Sequence, residues 1–405
     1  MTVDVVGGLY REECVRPQWD RVFGSAGRAA VAIASMGVDL TLHCYSTQSA
    51  RNTFMMEAAL LPLALADQPT EQTPSFRYLH DSAPPAIRGV AEPALPPLRI
   101  EGEKVLRFGM LESDAIVRAV WAVYDPQNVG APKSFSANGS QADYLALVLN
   151  AYEARTMAGL PLDTPPEVCA ETLGRRDDAA VVVIKLGPAG ALVWTEEGVQ
   201  TVPAYRTKTV WKIGSGDTFA AHFALAWMHE GKTPVEAADW ASRATAFYCE
   251  NRILPTAQFL SNFTPEKITT KPECRAGKRP NVYLAGPFFD IAQVWLIEET
   301  LARLTELGLE VFSPFHDIGL GAASDVVHQD LEAIQRCDIV FAIADGLDAG
   351  TLYEIGYARA LDKPVVVLSE RESDESMKMA EGSGCVVCRD FTTALYSALW
   401  KATCE

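Results

Sequence analysis

Short apolar segments alternate regularly with amphipathic segments in the last third of the chain. The predicted strands are "NVYLAG", "EVFSPF", "DIVFAIAD" and "PVVVLSE", and the predicted helices between them are "AQVWLIEETLARLTELG", "DVVHQDLEAIQRC" and "TLYEIGYARALD". This alternation predicts βαβ units and therefore a parallel sheet. In such sheets, ligands bind beyond the carboxyl ends of the strands. The loops expected to form a site follow Tyr283, Phe315, Ala344 and Leu368.

The first part of the chain shows a looser alternation. "VVVIKLGPAGALVWTEEGVQTVPA" predicts strands with glycine turns, "GSAGRAAVAIASMG" a glycine turn and a small-residue helix, and "SGDTFAAHFALAWMHEG" a helix closed by Gly231. Between the two parts, proline, glycine and charged residues replace periodic apolar ones, which is typical of a linker. The sequence therefore predicts a larger α/β domain over 1–261, a linker over 262–280 and a smaller domain over 281–405.

Composition narrows the classes of partner. The 405 residues include 48% hydrophobic residues and carry a formal net charge of −17. This charge argues against a nucleic-acid polymer or an anionic membrane, but a helix N-terminus can still hold a small phosphorylated ligand. The start "MTVDVVGGLY" lacks a cationic region and no apolar run reaches membrane-spanning length, so a cytoplasmic protein is expected. The nine cysteines form no framework, and "CVVC" predicts a buried strand rather than a zinc site.

Glu354 has two readings. Thr351 and Glu354 have the spacing of a capping box, in which Glu354 would bond back to the start of its own helix. However, Asp348 lies in the preceding loop and Asp330 on the preceding helix, so three carboxylates can reach one crevice. Carboxylates grouped without histidine partners suit nucleophilic and acid/base chemistry at a sugar carbon.

Three segments here resemble the nucleoside 2-deoxyribosyltransferase family. They are "VYLAGPFFD", "QDLEAIQRCDIVFAIADGLDAGT" and "YEIGYARALDKPVVVL", within residues 281–370. The resemblance implies a flavodoxin- or Rossmann-like parallel-sheet domain that cleaves or transfers an N-glycosidic bond of a (deoxy)nucleoside, without a cofactor. It implies Glu354 as nucleophile, Tyr283 as its orienting residue, Asp330 and Asp348 as groups handling the base and its proton, and Gly286 and Phe288 as pocket residues.

The resemblance leaves the substrate and the acceptor open. Related hydrolases of nucleoside monophosphates tend to carry serine at the position of Asp348, which favours a nucleoside here over a nucleotide. Water and a second base both remain possible acceptors. His316 and Asp317 are further candidates for substrate contact, and a histidine bonded within its own loop is the alternative.

In the first domain, "KIGSGDTFAAHFA" places a glycine-rich turn, Gly214, Ser215 and Gly216, directly before Asp217 and a helix. Backbone N–H groups and the positive end of the helix dipole can hold a phosphate there. An aspartate beside the phosphate can accept the proton of an attacking hydroxyl. An ordinary helix-capping aspartate is the alternative.

Three further segments resemble the ribokinase-like (pfkB-type) family of carbohydrate and nucleoside kinases. They are "GSAGRAAVAIASMGVD", "LNAYEA" and "VVVIKLGPAGALVW", and the likeness spans about residues 1–255. It implies a ribokinase-like α/β domain that uses ATP and Mg²⁺, with no side chain ligating the metal directly. It implies Asp217 as base, Gly214, Ser215 and Gly216 as anion hole, Asn150 and Glu153 near Mg²⁺ and the ATP phosphates, and Gly24 and Gly27 beside the acceptor sugar.

The first domain also departs from this family. Trp211 stands where the family usually has an aspartate, and Arg28 and Ala29 stand where it has an asparagine. The family usually has an acid early in the first loop that binds a sugar hydroxyl, and Glu12 or Glu13 is only a loose substitute for it. These departures indicate an unusual acceptor or a domain that binds without phosphorylating.

The sequence as a whole predicts a bifunctional enzyme of nucleoside metabolism. One domain would phosphorylate a sugar or nucleoside, and the other would break or re-form an N-glycosidic bond. The alternative is a nucleotide-sensing domain, inactive as a kinase, that controls a nucleotide- or NAD-degrading glycosidase. Small molecules are the expected partners, and both resemblances imply a homo-oligomer.

Overall fold

A computed structural model describes residues 2–92, 94–127, 130–319 and 323–405. The chain divides into two compact units, Met1–Lys267 and Ile268–Glu405. The division falls inside the segment predicted to be a linker. Lys267 forms a β-bridge with Tyr205 of the first unit, whereas Thr270 forms one with Cys404 of the second.

The first unit is built on a nine-stranded sheet within the described residues, in the order β13-β12-β11-β10-β9-β8-β1-β4-β5, beside a four-stranded sheet in the order β3-β2-β6-β7. The strands are β1 Val3–Val6, β2 Arg11–Arg16, β3 Trp19–Val22, β4 Leu40–Ser46, β5 Leu63–Pro69, β6 Ser75–His80, β7 Ala86–Arg88, β8 Leu98–Phe108, β9 Ala115–Asp125, β10 Gln141–Asn150, β11 Val181–Lys185, β12 Ala191–Thr195 and β13 Gly198–Val202. The large sheet is parallel from β5 to β11 and antiparallel at its β12–β13 edge. The expected glycine-turn strands are therefore β11 to β13.

Helices cover both faces of the large sheet. They are α1 Gly24–Ser35, α2 Gln48–Glu57, α3 Ala151–Ala158, α4 Pro166–Asp177, α5 Ser215–Ala224, α6 Pro234–Asn251 and α7 Ala257–Asn262. Alanine-rich α1 packs closely on α5, and small side chains permit this approach. Helix α5 continues into a π-helical turn, Leu225–His229, and ends before Gly231, whose φ of +70° suits a glycine.

The second unit contains a five-stranded, wholly parallel sheet in the order β15-β14-β16-β17-β18. Its strands are β14 Asn281–Ala285, β15 Glu310–Phe312, β16 Ile339–Ile343, β17 Val365–Leu368 and β18 Val386–Cys388. Its helices are α8 Pro272–Arg275, α9 Ile291–Glu306, α10 Pro314–Asp317, α11 Ala323–Arg336, α12 Ala349–Ala360, α13 Asp374–Gly382 and α14 Phe391–Thr403. In chain order the strands run 2-1-3-4-5, the flavodoxin-like arrangement, so the expected parallel sheet is present.

Two boundaries in this unit differ from the sequence prediction. The strand predicted to run to Phe315 ends at Phe312, because Pro314 starts the short helix α10. The helix predicted to begin at Thr351 begins at Ala349. None of the described helices combines the length and the apolar character needed to cross a membrane.

Candidate active sites

Tyr283 and Glu354 meet near the carboxyl edge of the small sheet. Tyr283 lies in β14 and is fully buried, and Glu354 lies in α12, which follows the neighbouring strand β16. The Tyr283 hydroxyl donates a 2.7 Å hydrogen bond to Oε1 of Glu354. The strand order reverses between β14 and β16, which is where ligands bind in sheets of this kind.

The surroundings of Glu354 bring its ionisation close to neutral pH. Burial raises the pKa of Glu354 to about 7, the hydrogen bond from Tyr283 opposes that rise, and the charges of Asp330 and Asp348 add to it. Burial, followed by the charge of Glu354, raises the pKa of the Tyr283 hydroxyl. Tyr283 therefore stays a hydrogen-bond donor while Glu354 changes between its neutral and ionised forms.

Asp348 is the N-cap of α12. Its Oδ2 accepts hydrogen bonds of 2.8 Å from the Thr351 backbone N–H and of 3.0 Å from the Thr351 hydroxyl. The capping-box interpretation of Glu354 is therefore wrong, because the helix begins two residues earlier than predicted and Asp348 occupies the cap. The Glu354 carboxylate therefore does not cap the helix, and it accepts the hydrogen bond from Tyr283 instead.

Asp330 lies on α11, close enough to Tyr283 and Glu354 for their charges to interact. Its Oδ1 atom is buried and has no hydrogen-bond partner among the described residues. Burial raises the pKa of Asp330, while the Tyr283 hydroxyl lowers it. Asp330 thus combines a raised pKa with an oxygen, Oδ1, that no group among the described residues bonds.

Aromatic side chains lie in the first loop of this site. Phe288 packs on Phe315, which follows β15 in the short helix α10. The centroids of the two rings lie 5.2 Å apart. A Cβ atom on Gly286 would lie 2.9 Å from Cδ1 of Ile297 and 3.2 Å from Cβ of Ile343, so a larger residue here would require these side chains to shift. His316 is hydrogen-bonded to Ser313 in its own loop, as the alternative expected, and also to Glu298 on α9.

In the first unit, Asp217 lies in the first turn of α5 and is buried. Gly214 precedes the helix with a φ of +77°. Oδ1 of Asp217 accepts a 2.7 Å hydrogen bond from the Gln127 amide, and Oδ2 lies 3.3 Å from NH1 of Arg28. Asp217 is therefore joined to side chains from two other segments, rather than serving only as a helix cap.

Arg28 is wholly buried and is held from several sides. Its guanidinium forms a two-point ion pair with Glu12, with one contact of 2.9 Å, and its Nε donates to the Tyr248 hydroxyl at 3.2 Å. Burial lowers the pKa of Arg28, but the charges of Glu12, Tyr248 and Asp217 raise it by more. Burial raises the pKa of Glu12 to about 7, against the lowering effect of Arg28. Arg28, which stands where the resembling family has an asparagine, thus places a buried cation beside Asp217.

Lys185 and Asp125 form a second buried ion pair in the same region. The Lys185 ammonium lies 2.5 Å from Oδ2 of Asp125, and the Gln127 amide lies 3.3 Å from the same oxygen. Burial raises the pKa of Asp125 to about 7, and Lys185 opposes that rise. Sequence reasoning missed Gln127, Lys185 and Asp125. In the structure, Asp125 ends β9 and Lys185 ends β11, both at the carboxyl edge of the sheet.

Asn150 and Glu153 form a complete capping box at the start of α3. The Asn150 side chain accepts from the Glu153 N–H and the Glu153 side chain accepts from the Asn150 N–H, both at 2.8 Å. The charge of Glu153 acts on both Asp125 and Lys185, so this cap lies beside the polar cluster. Among the described residues, no set of three histidine, cysteine or acidic side chains is arranged to hold a metal ion.

The two predicted sugar-side glycines have close packing. Gly24 has a φ of +60°, and a Cβ atom there would lie 2.6 Å from the Gly8 carbonyl oxygen. A Cβ atom on Gly27 would lie 2.7 Å from Leu9. Trp211, which replaces the family's aspartate, is fully buried and donates to the Tyr248 hydroxyl at 3.2 Å.

Comparison with known families identifies both parts of the chain. Residues 123–253 match the pfkB family carbohydrate kinase, and residues 282–387 match the nucleoside 2-deoxyribosyltransferase family. The chain matches both families, each over part of its length. Both resemblances seen in the sequence are therefore confirmed for the matched segments.

Individual relatives cover less of the molecule. An ATP-dependent ribose-1-phosphate kinase of Halopiger xanaduensis is 32% identical over 100 residues, which are 24% of this chain and 34% of that protein. An uncharacterized protein of Ureaplasma parvum serovar 3 is 31% identical over 102 residues, 22% of this chain and 65% of that protein. The chain thus spans about one third of the first relative and just under two thirds of the second.

A solved structure supports the fold predicted for the first domain. Fructokinase from Vibrio cholerae O395, bound to fructose, ADP and calcium, superposes with a TM-score of 0.50 at 15% identity. The match covers 65% of this chain and 98% of that one. The predicted ribokinase-like α/β fold is therefore confirmed, as is a separate, smaller parallel-sheet unit.

Proposed function

We propose that the nucleoside 2-deoxyribosyltransferase-family domain breaks the N-glycosidic bond of a (deoxy)nucleoside, with Glu354 as nucleophile. The observation that carries this proposal is the 2.7 Å hydrogen bond from buried Tyr283 to Glu354 at the switch point of the sheet. The bond fixes one carboxylate oxygen and leaves the other, Oε2, to react. No capping duty competes for this side chain, since Asp348 caps the helix.

The reaction divides into two substitutions at C1′ of the sugar. Glu354 forms an ester bond to C1′ while the bond from C1′ to the base nitrogen breaks, and the electron pair leaves with the base. The base nitrogen takes a proton from a neighbouring acid. An acceptor, either water or a second base, then attacks C1′, loses a proton and releases the Glu354 carboxylate.

Asp330 is the better placed acid for the leaving base. Burial raises its pKa, which favours the protonated form more than in an ordinary aspartate, and its Oδ1 has no hydrogen-bond partner among the described residues. Asp348 is committed through Oδ2 to two hydrogen bonds from Thr351, which require an accepting oxygen. Asp348 therefore anchors α12 and adds negative charge, and its remaining oxygen can contact the base. Gly286 and Phe288 would border the substrate.

A second reaction is proposed for the pfkB-family domain, in which ATP phosphorylates a sugar or nucleoside. Asp217 would accept the proton of the attacking hydroxyl, whose oxygen bonds to the γ-phosphorus as the bond to the β–γ bridging oxygen breaks. ADP leaves with that electron pair. The backbone N–H groups of Gly214, Ser215 and Gly216 would hold the phosphate, with Gly24 and Gly27 beside the acceptor.

Magnesium would enter this domain with the nucleotide. Mg²⁺ is usually held by one or two carboxylates together with substrate phosphates and water. Glu153 would lie near the metal, since its charge acts on Asp125 and Lys185, and its Oε2 accepts a hydrogen bond from the Asn150 N–H in the capping box. When bound, the metal would neutralise phosphate charge.

Mass spectrometry of a nucleoside and nucleotide panel, which includes NAD and is run with and without ATP, tests both proposals. Glu354→Gln should abolish release of free base, and Glu332→Gln on the exposed face of α11 is its control. Asp217→Asn should abolish phosphorylated product, with Asp239→Asn on α6 as control. Base release by Glu354→Gln at the wild-type rate would contradict the first proposal.

The same experiment separates the regulatory alternative. ATP binding without phosphorylated product from any sugar or nucleoside would indicate a nucleotide sensor, and the contact of Arg28 with Asp217 is the feature that supports this outcome. Release of nicotinamide from NAD would indicate a cofactor-degrading enzyme. Homo-oligomer formation and a cytoplasmic location remain predictions from the sequence.

A further inference from the structure

We propose that the first unit binds a small organic monocarboxylate in a cavity on the face of the large sheet opposite α1 and α5. The cavity has a volume of about 140 Å³ and is lined by residues of β8, of β9 and of the segments that follow these two strands. Tyr124 in its wall belongs to the hydrophobic cluster that includes α3 and α4, whereas α1 and α5 pack in another cluster. The inference goes beyond both reactions proposed above and rests on neither of them.

The size of the cavity limits the ligand to a small molecule. An engineered protein cavity of about 150 Å³ holds one benzene molecule. The cavity of the first unit therefore has room for a ligand of about six non-hydrogen atoms, and it is too small for a whole nucleoside or nucleotide. Lys133 and Ala137 are exposed, so the cavity opens to solvent beside them.

Arg107 is a buried cation in the wall of this cavity. It is 3% exposed, and its guanidinium donates to the Phe135 carbonyl and to the Ser140 hydroxyl, both at 3.0 Å, and to the Asp114 carboxylate at 2.8 Å. Its Nε atom is buried and has no hydrogen-bond partner among the described residues. A buried donor without a partner costs free energy, so a ligand oxygen that accepts from Nε would be bound favourably.

Lys133 supplies a second cation at the mouth of the cavity. Its backbone carbonyl accepts a 3.2 Å hydrogen bond from the Tyr124 hydroxyl, which ties this residue to the wall. Its ammonium group forms no hydrogen bond or ion pair among the described residues. Ser134 comes next, and its hydroxyl makes no capping bond to the turn Phe135–Asn138. The groups left to a ligand are therefore hydrogen-bond donors, two of them on cations, which suits an anion that binds through oxygen atoms.

The charge of the lining favours a ligand with a single negative charge. Arg107, Lys133 and Asp114 are the ionised side chains among the lining residues, so the lining carries one net positive charge. A carboxylate balances this charge, whereas a phosphate dianion would leave an excess negative charge beside Asp114. Oδ1 of Asp114 accepts 2.8 Å hydrogen bonds from Arg107 and from the Ala115 N–H, which hold this acid in the lining.

The cavity adjoins the loop that carries Glu112. Gly109 lines the cavity at the start of this loop. Further along the loop, Glu112 accepts a 2.6 Å hydrogen bond from the Tyr10 hydroxyl, and the Leu111 N–H donates to the same hydroxyl at 2.8 Å. A ligand in the cavity should therefore hold residues 109–114 in place and slow the hydrogen exchange of their backbone amides.

Calorimetry on the full chain, with lactate as the probe, tests this inference. Lactate should bind saturably, whereas glycerol, which has the same number of non-hydrogen atoms but no charge, should not bind. Lys133→Met should weaken lactate binding about 10- to 100-fold, the range for a lost hydrogen bond to a charged group. Lys208→Met removes an exposed lysine elsewhere in the first unit and should bind lactate as the wild type does. Equal affinity of Lys133→Met and the wild type for lactate would overturn the inference, and so would equal binding of lactate and glycerol.

Hydrogen exchange read by mass spectrometry locates the bound lactate. The backbone amides of residues 109–114 should exchange more slowly when lactate is present, and those of residues 214–216 should not change. Lys133→Met should lose this protection while its other amides exchange as in the wild type, which shows that the variant is folded. Protection of the glycine turn alone would mean that the anion binds at the proposed phosphate site, and it would contradict the cavity as the site.

Asp114→Asn tests the selection by charge, with inorganic phosphate as a second probe that is followed through the same protection of residues 109–114. Wild-type protein should bind phosphate more weakly than lactate. The asparagine keeps an accepting oxygen for Arg107 but removes the negative charge, so Asp114→Asn should bind phosphate about 10-fold more tightly than the wild type does. Tighter binding of phosphate than of lactate by the wild type would overturn the choice of a monocarboxylate, as would an unchanged phosphate affinity in Asp114→Asn.

Discussion

The Tyr283 hydroxyl donates a hydrogen bond to Glu354, which lies 71 positions further along the chain. Tyr283 sits on the first strand of the small sheet and Glu354 on the helix after the third. The donor is fully buried and the bond is partly buried, so the bond orients the carboxylate. Burial sets the direction in which the pKa of Glu354 moves, and the bond from Tyr283 opposes it.

Tyr283→Phe should therefore shift the pH profile of base release. The hydrogen bond lowers the pKa of Glu354, so its loss raises that pKa and moves the acidic limb of kcat/KM to higher pH. At neutral pH, activity should fall about 10-fold or more, since a hydrogen bond to a charged group is lost. Tyr357 lies on the same helix as Glu354, and its hydroxyl accepts a hydrogen bond from Gln335. Tyr357→Phe removes that hydroxyl and should leave the pH profile unchanged. An unshifted profile in Tyr283→Phe would assign the tyrosine a packing role only.

Glu354→Gln should alter the pH dependence of stability as well as abolish activity. The pKa of Glu354 is raised to about 7 in the folded protein, from an ordinary value of 4.5. Below about pH 4.5 the carboxyl group is neutral in both the folded and the unfolded protein, and its stabilising effect is fully present. As pH rises through about 7, the neutral form that the folded protein favours is lost, and the free energy of unfolding of the wild type falls. The amide stays neutral, so the free energy of unfolding of Glu354→Gln should exceed that of wild type increasingly up to about pH 8. Urea titrations across this range measure it, and parallel curves would contradict the raised pKa.

Asp348 offers a way to separate capping from chemistry. Asn is as good an N-cap as Asp, so Asp348→Asn should keep the stability of the second unit within about 0.5 kcal/mol. Asp348→Ala loses the two bonds from Thr351 and should cost about 1 kcal/mol. A loss of base release in the stable Asn variant would reveal a catalytic need for the charge, whereas full activity would leave Asp348 as a cap alone.

The Arg28–Glu12 pair should prove highly sensitive to removal of one partner. Arg28→Met leaves Glu12 and Asp217 buried without their cation, and should destabilise the first unit by about 3–5 kcal/mol. The double change with Glu12→Gln should recover part of this loss, because one uncompensated charge is gone. Arg11→Met breaks an exposed ion pair with Asp20 and should cost less than about 1 kcal/mol. Equal effects of the two arginine changes would show that the buried pair contributes little.

The glycine turn should respond differently at its two ends. Gly214 has a left-handed φ of +77° and lies against Arg28, so Gly214→Ala should lose at least about 1–2 kcal/mol and displace the guanidinium. At Gly216 the added methyl group would meet Lys185 at an ordinary 3.5 Å, so Gly216→Ala should keep its stability. Thermal unfolding compares the two variants. A stable Gly214→Ala would mean that Arg28 can move aside readily.

Much of the second site could be predicted because its signals are local. The strand–helix alternation, the acidic residues near Glu354 and the glycine of the first loop all lie within short segments. Asp348 is predicted near the crevice from its position after β16, and in the structure its charge acts on Glu354. The helix start was misplaced because Thr351 and Asp348 are both good capping residues, and local sequence does not rank them.

The first site was less accessible to sequence reasoning. The glycine turn and Asp217 are contiguous, so their pattern was visible. Arg28 was noticed only as a departure from the family, and Gln127, Asp125 and Lys185 were not connected with Asp217. Each lies far from the others in the chain, and a lone lysine or glutamine at a strand end has no distinguishing pattern.

The sequence by itself determined the class of each half of this protein, since hydrophobic periodicity and contiguous motifs are local properties of the chain. Tertiary structure alone decided which side chains form hydrogen bonds and ion pairs with one another. Contacts such as Tyr283 with Glu354, Arg28 with Asp217 and Lys185 with Asp125 form only when parallel strands bring their ends to one edge. Burial then sets the ionisation of those groups, because the cost of removing charge from water depends on the packing of the whole fold rather than on neighbours in sequence.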